Sequence, residues 1–125
     1  MSITNFPGGV LHGNQEEKTS NYTVVAVTDS GKTFTVDSDV TFTLPAIAIG
    51  EVYTFVYTGP DGSATLTISP QAADGVTYAG SSTDDKDLIL ASSTAKKGDF
   101  VKLAALDGTV AWQVVEARGV WTKEP

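Results

Sequence analysis

The sequence predicts an all-β protein, a single antiparallel β-sandwich of jelly-roll type that carries an extended N-terminal arm. Short runs of residues alternate between apolar and polar side chains, the period of two that is typical of half-buried strands. Valine, threonine and aromatic residues dominate these runs, as strands prefer. Turn signals made of Gly, Asp and Pro separate the runs at intervals of about 8–12 residues, a spacing that favours a sandwich or barrel.

The N-terminal segment differs from the rest of the chain. It contains Pro7-Gly8-Gly9 and the charged run Glu16-Glu17-Lys18, and its few apolar residues follow no regular period. Such a segment lacks the pattern that would bury it in a core of its own. We therefore divide the chain into an extended arm, residues 1–20, and a β-sandwich domain, residues 21–125.

Strands in the first part of the domain follow one another through short turns. They are predicted over residues 22–28, 33–36, 40–44, 51–58, 64–69 and 74–78. The second and third of these runs are separated only by Asp37-Ser38-Asp39, and a hairpin is the simplest interpretation. Pro45 ends the third run, because proline cannot donate to the ladder of a central strand.

The last part of the chain repeats this pattern. Strands are predicted over residues 86–91, 99–106, 109–116 and 120–122. Asp107-Gly108 lies between the second and third of these and is the strongest hairpin signal in the sequence. Trp112 alternates with Val110 and Val114, so its side chain is expected in the core.

Composition and charge exclude several classes of protein. The chain has 125 residues with 8 Lys+Arg against 15 Asp+Glu, and its net charge of −7 argues against a nucleic-acid partner. The absence of cysteine excludes disulfides, thiol catalysis and zinc fingers. No apolar run approaches the roughly 18–20 residues of a membrane span, and the first residues do not resemble a signal peptide. We expect a soluble protein that folds in the cytoplasm, with no membrane partner.

Residues with catalytic or metal-binding chemistry are sparse. His12 is the single histidine, and it lies in the arm, where nothing predicts the rigid orienting group that a general base needs. Acidic residues cluster at positions 84–87 and 37–39, but neither cluster has the spacing of a calcium loop. Most other acids fall in turns, where Asp has an ordinary structural role. We predict no catalytic residue, no metal site and no cofactor, and the protein is not expected to be an enzyme.

One strand has apolar side chains on both faces. Residues 51–58 place aromatic side chains on one face and Val52 and Val56 on the other, so both faces are expected to be at least partly buried. In a protein that forms a cyclic oligomer, this strand and the last strand of the chain are our candidates for the contact between subunits. The predicted interface residues are Tyr53, Phe55, Tyr57, Val120 and Trp121.

The aromatic residues also support an alternative. Trp112, Trp121 and the tyrosines offer flat apolar faces with polar tips, which is the chemistry that stacks on sugar rings. A carbohydrate-binding or adhesion module, with cell-surface glycans as its partner, therefore remains open.

Several segments occur in an order that is also found in known proteins. They are Asp29-Ser30-Gly31-Lys32-Thr33-Phe34-Thr35-Val36, Val40-Thr41-Phe42-Thr43-Leu44-Pro45-Ala46, Gly50-Glu51-Val52-Tyr53-Thr54-Phe55, Gly98-Asp99-Phe100-Val101-Lys102-Leu103, and Ala111-Trp112-Gln113-Val114 with Gly119-Val120-Trp121. The opening Thr4-Asn5-Phe6-Pro7-Gly8-Gly9-Val10 resembles the Asn-Phe-Pro-x-Gly start of several phage head-associated proteins. Taken together, the chain resembles small β-sandwich modules of tailed-bacteriophage virions, found in capsid decoration (cement) proteins and fibre-type appendages.

That resemblance implies a homotrimer on the outside of an icosahedral phage head, where it clamps adjacent copies of the major capsid protein and stabilises the shell. Such a protein is made in the host bacterial cytoplasm and ends on the capsid exterior. The same resemblance leaves open a tail-fibre, spike or baseplate accessory. We place the capsid contact in the arm, at Ile3, Asn5, Phe6, Pro7 and Val10.

Overall fold

The computed structural model describes residues 14–80, 83–106 and 111–125. In these residues the chain forms two β-sheets that pack against each other, so the predicted β-sandwich is confirmed. The strands are β1 (Gln15–Glu17), β2 (Tyr22–Thr23), β3 (Thr33–Val36), β4 (Val40–Thr43), β5 (Val52–Tyr57), β6 (Leu66–Ser69), β7 (Gly75–Thr77), β8 (Leu88–Leu90), β9 (Phe100–Ala104), β10 (Ala111–Arg118) and β11 (Trp121–Lys123). A short 3-10 turn at Ser92–Thr94 precedes β9.

Successive strands alternate between the two sheets along most of the chain. The larger sheet has the order β1-β3-β5-β9-β10-β7, and the smaller one has the order β11-β8-β6-β4-β2. Because the chain crosses to the other sheet and back before it pairs again, neighbours such as β1, β3 and β5 run in the same direction. The strands β2, β4 and β6 follow the same rule in the smaller sheet.

This alternation corrects two predictions. The runs that were expected to form a hairpin, β3 and β4, lie in opposite sheets, and residues 37–39 cross between them. The sheets are also mixed rather than antiparallel: in the described part of the chain five pairings are parallel and four are antiparallel. The reason is that β3 pairs with β5 and β4 pairs with β6, which leaves the two runs in opposite sheets. Their buried faces meet between the sheets, where Phe34 and Phe42 pack on each other with ring centroids 5.2 Å apart.

The C-terminal hairpin is confirmed as an antiparallel pair. β9 and β10 are consecutive in the chain and lie side by side, with Gln113 opposite Ala104 and Arg118 opposite Phe100. The register shifts between Val114 and Glu116, which is the signature of a β-bulge. The Asp107-Gly108 turn itself lies outside the described residues.

Several predicted strands are longer than the observed ones, and two differences lie near the start of the domain. The strand expected over residues 22–28 is only Tyr22–Thr23, and the chain turns from Ala26 onward. In the predicted arm, Gln15–Glu17 forms β1 and pairs with β3, while residues 1–13 lie outside the described part.

Aromatic residues fill the core between the sheets. Phe55 lies 4.7 Å from Phe42 and 5.6 Å from Phe34, measured between ring centroids, and all three side chains have no accessible surface. Trp112 packs against Tyr53 at 5.5 Å and is also completely buried, as its alternation with Val114 predicted. The buried aromatic side chains therefore hold the two sheets together, and surfaces that could bind a partner lie on the loops and sheet edges.

Candidate functional site

Three loops meet at one end of the sandwich. They are residues 24–32, between β2 and β3, residues 44–51, between β4 and β5, and the segment 105–106 after β9. The backbone N–H of Gly31 donates to the carbonyl of Val52 at 2.7 Å, and that of Gly50 donates to the carbonyl of Ala105 at 3.1 Å. These bonds make the three loops one continuous surface.

That surface carries most of the large apolar side chains that the described residues expose. Val25 is 48% exposed, Val27 80%, Ile49 73% and Leu106 66%. We call this surface the apolar end and define it by these four residues. Soluble proteins expose single apolar side chains routinely, but a group of them on adjoining loops is typical of an interaction surface.

Val27 is held in an unusual backbone conformation. Its φ angle is +67°, and the N–H of Thr28 donates to the carbonyl of Ala26 at 2.7 Å, so Val27 is the central residue of a γ-turn. A β-branched residue with positive φ is a genuine outlier, and such conformations cost about 1–3 kcal/mol. The loop accepts this strain while it presents its most exposed apolar side chain to solvent.

A carboxylate fixes the strained turn. The N–H of Val27 donates to Oε1 of Glu51 at 3.0 Å. The hydroxyl of Tyr53 donates to the same oxygen at 2.5 Å. Burial and this bond to Glu51 both raise the pKa of Tyr53 above its ordinary value. Glu51 therefore links the exposed turn to the buried start of β5.

A second carboxylate fixes the other side of the same loop. Asp29 is 1% exposed and accepts hydrogen bonds from the N–H of Val25 at 2.8 Å and the hydroxyl of Tyr22 at 2.7 Å. The ammonium of Lys32 lies 2.9 Å from its second oxygen. Burial alone would raise the pKa of Asp29, but the Val25 N–H, the Tyr22 hydroxyl and Lys32 outweigh burial and lower it. In turn, the bond to Asp29, aided by burial, raises the pKa of Tyr22 to about 12.

The N-terminal segment is attached at the apolar end. Gln15 pairs with Thr33, which directly follows the loop that contains Val25 and Val27. A carboxylate of β1, Glu16, contacts Lys32 at 3.0 Å and Lys18 at 2.6 Å. Lys18 also lies 3.7 Å from the centre of the Tyr22 ring, a cation–π contact. These contacts hold β1 against the loop of residues 24–32.

The structure places the predicted binding residues in two groups. The arm residues Ile3, Asn5, Phe6, Pro7 and Val10 lie outside the described part of the chain. Of the predicted interface residues, only one is exposed: Val120, at 56%.

The other interface residues require a correction. Tyr53, Phe55 and Tyr57 have no accessible surface, because their face of β5 points into the core of the same chain. Trp121 is 4% exposed, and its indole N–H donates to the carbonyl of Arg118 at 3.0 Å. None of these four side chains is available to a neighbouring subunit.

The acidic clusters behave as loop residues. Asp39 is exposed, and its side chain accepts the N–H of Thr65 at 2.8 Å. Asp84 and Asp85 are exposed as well. Among the described residues, no three His, Cys, Asp or Glu side chains come together in a way that could hold a metal ion. His12 lies outside those residues. In the same part of the chain, no helix has the length and hydropathy to cross a membrane.

Sequence reasoning did not find the apolar end. Residues 24–27 look like the continuation of a strand, and Ile49 lies after Pro45, between two predicted strands. A signal was nevertheless present in the second stretch, because Ile47 and Ile49 lie beyond Pro45, where strand pairing has to stop. Comparison of the sequence with protein-family models and with curated proteins finds no match.

Proposed function

We propose that this protein is a virion structural protein, a capsid decoration protein that binds the outer surface of an icosahedral phage head through its apolar end. The proposal rests on one observation. The N-terminal segment is attached at the same end of the sandwich that exposes Val25, Val27, Ile49 and Leu106. The resemblance to phage decoration proteins, and the expectation that their arm grips the capsid, agree with this placement.

The binding energy available from the apolar end favours attachment of several linked copies rather than one. Fully burying one Val, Leu or Ile side chain stabilises a contact by about 1.5–3 kcal/mol. Association costs an estimated 4–15 kcal/mol in lost freedom, so four such side chains on a single copy give a weak contact at best. A homotrimer that presents the same end three times binds the major capsid protein with the gain of multivalency. Because it binds the assembled shell and not the free subunits, it stabilises the shell by mass action.

The geometry of the loop suits a role as a docking surface. Val27 is already held in one conformation by Glu51, so it can enter an apolar pocket of the capsid without ordering a flexible loop first. In this proposal the protein performs no chemistry, needs no cofactor, and lies on the capsid exterior after its synthesis in the host cytoplasm.

The experiment is co-sedimentation of the purified protein with heads assembled from the major capsid protein of the same phage. The variant Val27→Asp/Ile49→Asp places two charges in the apolar end and is expected to abolish binding while the protein stays folded. The matched control, Ser93→Asp/Thr122→Asp, adds the same charges at exposed positions away from that end. Wild-type occupancy by the Val27→Asp/Ile49→Asp variant would refute the proposed contact.

The two alternative functions, a tail accessory and a carbohydrate-binding module, predict different experimental results. A tail-fibre, spike or baseplate accessory is expected at a few copies per virion, at one vertex, whereas a decoration protein is expected at high, symmetric copy number. A carbohydrate-binding module is expected to give signals on a glycan array without any head. The buried positions of Trp112 and Trp121 remove the two largest candidate stacking faces for sugars.

A further inference from the structure

The strand β10 has a free edge along its second half. β7 pairs with β10 only from Ala111 to Gln113, whereas β10 continues to Arg118. The chain leaves this edge after Thr77 and turns at Ala79 and Gly80, which have φ angles of +53° and +86°. Among the described residues, positions 114–118 therefore pair with β9 on one side and have no strand on the other.

An open groove lies beside this free edge. Its volume is about 430 Å³, and it is lined by Thr77, Tyr78 and Ala79 on one side and by residues 113–117 on the other. Val115, in the middle of the edge, is 48% exposed. Unpaired backbone groups on an edge strand are a template for another strand, so this groove is suited to accept one.

The larger sheet has a second free edge on its opposite side. β1 is the outermost strand there and pairs only with β3 among the described residues. β1 and β10 also run in the same direction, because β1, β3 and β5 are parallel and two antiparallel pairings connect β5 to β10. A head-to-tail contact between copies that face the same way would therefore pair these two edges in parallel.

The strand registers show which residues lie at the same height on the two edges. One row across the outer face of the sheet runs through Glu17, Thr35, Val56, Phe100 and Arg118. The negatively charged Glu17 therefore lies at one end of the row and the positively charged Arg118 at the other, and both residues are exposed. The neighbouring row begins with Gln15 and ends with Glu116, a pair that can hydrogen-bond.

We propose that the free edge of β10 receives the β1 edge of a second copy of this chain, so that the larger sheet continues from copy to copy in a closed ring, with Arg118 of one copy paired to Glu17 of the next. Copies in a closed ring are related by rotation alone. If the rotation axis is parallel to the strands, residues of the same row on the β1 edge of one copy and the β10 edge of the next lie side by side. The direction of the axis, along the strands, rests on the proposed function, in which every copy places its apolar end on the capsid.

Backbone and side-chain groups make different contributions to the proposed contact. Backbone hydrogen bonds of the added strand supply affinity, as in other strand-addition interfaces. The exposed ion pair contributes modest energy, but it selects the register and the partner edge. Val120, which is exposed between β10 and β11, is two residues from Arg118 and stays a predicted subunit-contact residue.

The test is a charge-reversal cycle read by light scattering on the purified full chain. Wild-type protein is expected at a multiple of the 13.1 kDa chain mass. Arg118→Glu and Glu17→Arg are each expected to weaken association by about tenfold, and the double variant is expected to restore it. The matched control is Asp84→Arg, which reverses a charge in an exposed loop and should associate like wild type.

Amide hydrogen exchange provides a second readout that does not depend on mass. Amides of residues 114–118 that point away from β9 should be protected in the ring and exchange rapidly in Arg118→Glu, while residues 111–113 stay protected in both because β7 and β9 cover them. A wild-type monomer at every concentration, or an Arg118→Glu variant that associates as well as Asp84→Arg, overturns the proposal. A ring that follows the charge cycle but does not bind heads would refute the proposed function and leave this interface standing.

Discussion

The backbone N–H of Val27 donates to a carboxylate oxygen of Glu51 at 3.0 Å, and that oxygen also accepts the hydroxyl of Tyr53 at 2.5 Å. An exposed, strained apolar residue is thereby connected to a side chain that has no accessible surface. Strain of this kind persists only where the surroundings over-determine it. The relationship indicates that the loop is built to present Val27, and it leads to the first prediction.

Replacing Val27 with asparagine should stabilise the isolated protein and impair its docking. Asparagine tolerates positive φ far better than valine does, and the conformational penalty for an ordinary residue in this region is about 1–2 kcal/mol. We expect the free energy of unfolding, measured by urea denaturation, to rise by about 1 kcal/mol. Head binding should fall, because the most exposed apolar side chain is gone.

The control is Val25→Asn, which makes the same chemical change at a neighbouring exposed residue without a positive φ. It should give no gain in stability. If Val27→Asn is destabilising by as much as Val25→Asn, the turn does not store strain.

The fold could be predicted from the sequence to the level of its class but not of its topology. The alternation in Thr33-Phe34-Thr35-Val36 and in Val40-Thr41-Phe42-Thr43 correctly indicates two strands with one buried face each. Those faces would be buried equally well if the two strands formed a tight hairpin or if the chain crossed from one sheet to the other between them. The three intervening residues, 37–39, are compatible with both connections. The choice depends on β5 and β6, which pair with these strands from later in the chain.

The candidate site was harder to predict for a related reason. The stretch 24–27 has the composition of a strand, but Asp29 takes the N–H of Val25 and the hydroxyl of Tyr22 and turns the chain outward. The interface prediction failed at Tyr53, Phe55 and Tyr57 because a strand in the middle of a sandwich has a buried face of its own and a half-buried outer face. Periodicity does not distinguish the core of one chain from a contact between two.

Tyr22 should make the protein less stable in alkali. Its hydrogen bond to Asp29, aided by burial, raises its pKa to about 12, from an ordinary value of 10.0. A raised pKa means that the folded state favours the protonated phenol. The stabilisation is therefore fully present below pH 10 and is lost as the pH rises through about 12.

The measurement is a pair of experiments on wild type and Tyr22→Phe. The difference between their ultraviolet titrations isolates Tyr22, and its tyrosinate should form well above the ordinary pH. Denaturation at increasing pH should show a steeper loss of stability in wild type than in Tyr22→Phe. A difference titration centred near pH 10 would contradict the hydrogen bond to Asp29.

Asp29 should determine part of the stability of the protein in acid. Burial raises its pKa, but the bonds from the Val25 N–H, the Tyr22 hydroxyl and Lys32 lower it further than burial raises it. A lowered pKa means that the folded state favours the carboxylate, so the stabilisation is present above the ordinary value of 3.8 and is lost as the pH falls through the folded value.

The variant Asp29→Asn should lose about 2–3 kcal/mol at neutral pH, because a charged acceptor of several hydrogen bonds is replaced by a neutral one. Its stability should also depend less on pH below 4 than that of wild type. Asp61→Asn is the control, since Asp61 is exposed and lies 3.9 Å from Lys96 in a surface pair. Equal losses in the two variants would argue against a structural role for Asp29.

Gly119 should be intolerant of any side chain, at the point where β10 ends. Its φ angle is +112°, and a Cβ placed there would lie 2.5 Å from Cγ of Asp99. That carboxylate cannot move freely, because Asp99 is buried and accepts the N–H of Lys96 at 2.9 Å. Gly119→Ala therefore combines backbone strain with a collision against a fixed group.

Gly50 separates these two costs, since it also has a positive φ, +98°, but a Cβ there would meet nothing within 4 Å. Gly50→Ala should cost about 1–2 kcal/mol from backbone strain alone. Gly119→Ala should cost at least about 1 kcal/mol more in the same denaturation experiment, because overpacking is added. If the two variants were equally stable, the Asp99 side chain would have to move aside, and the end of β10 beside Arg118 would be less rigid than the proposed ring contact requires.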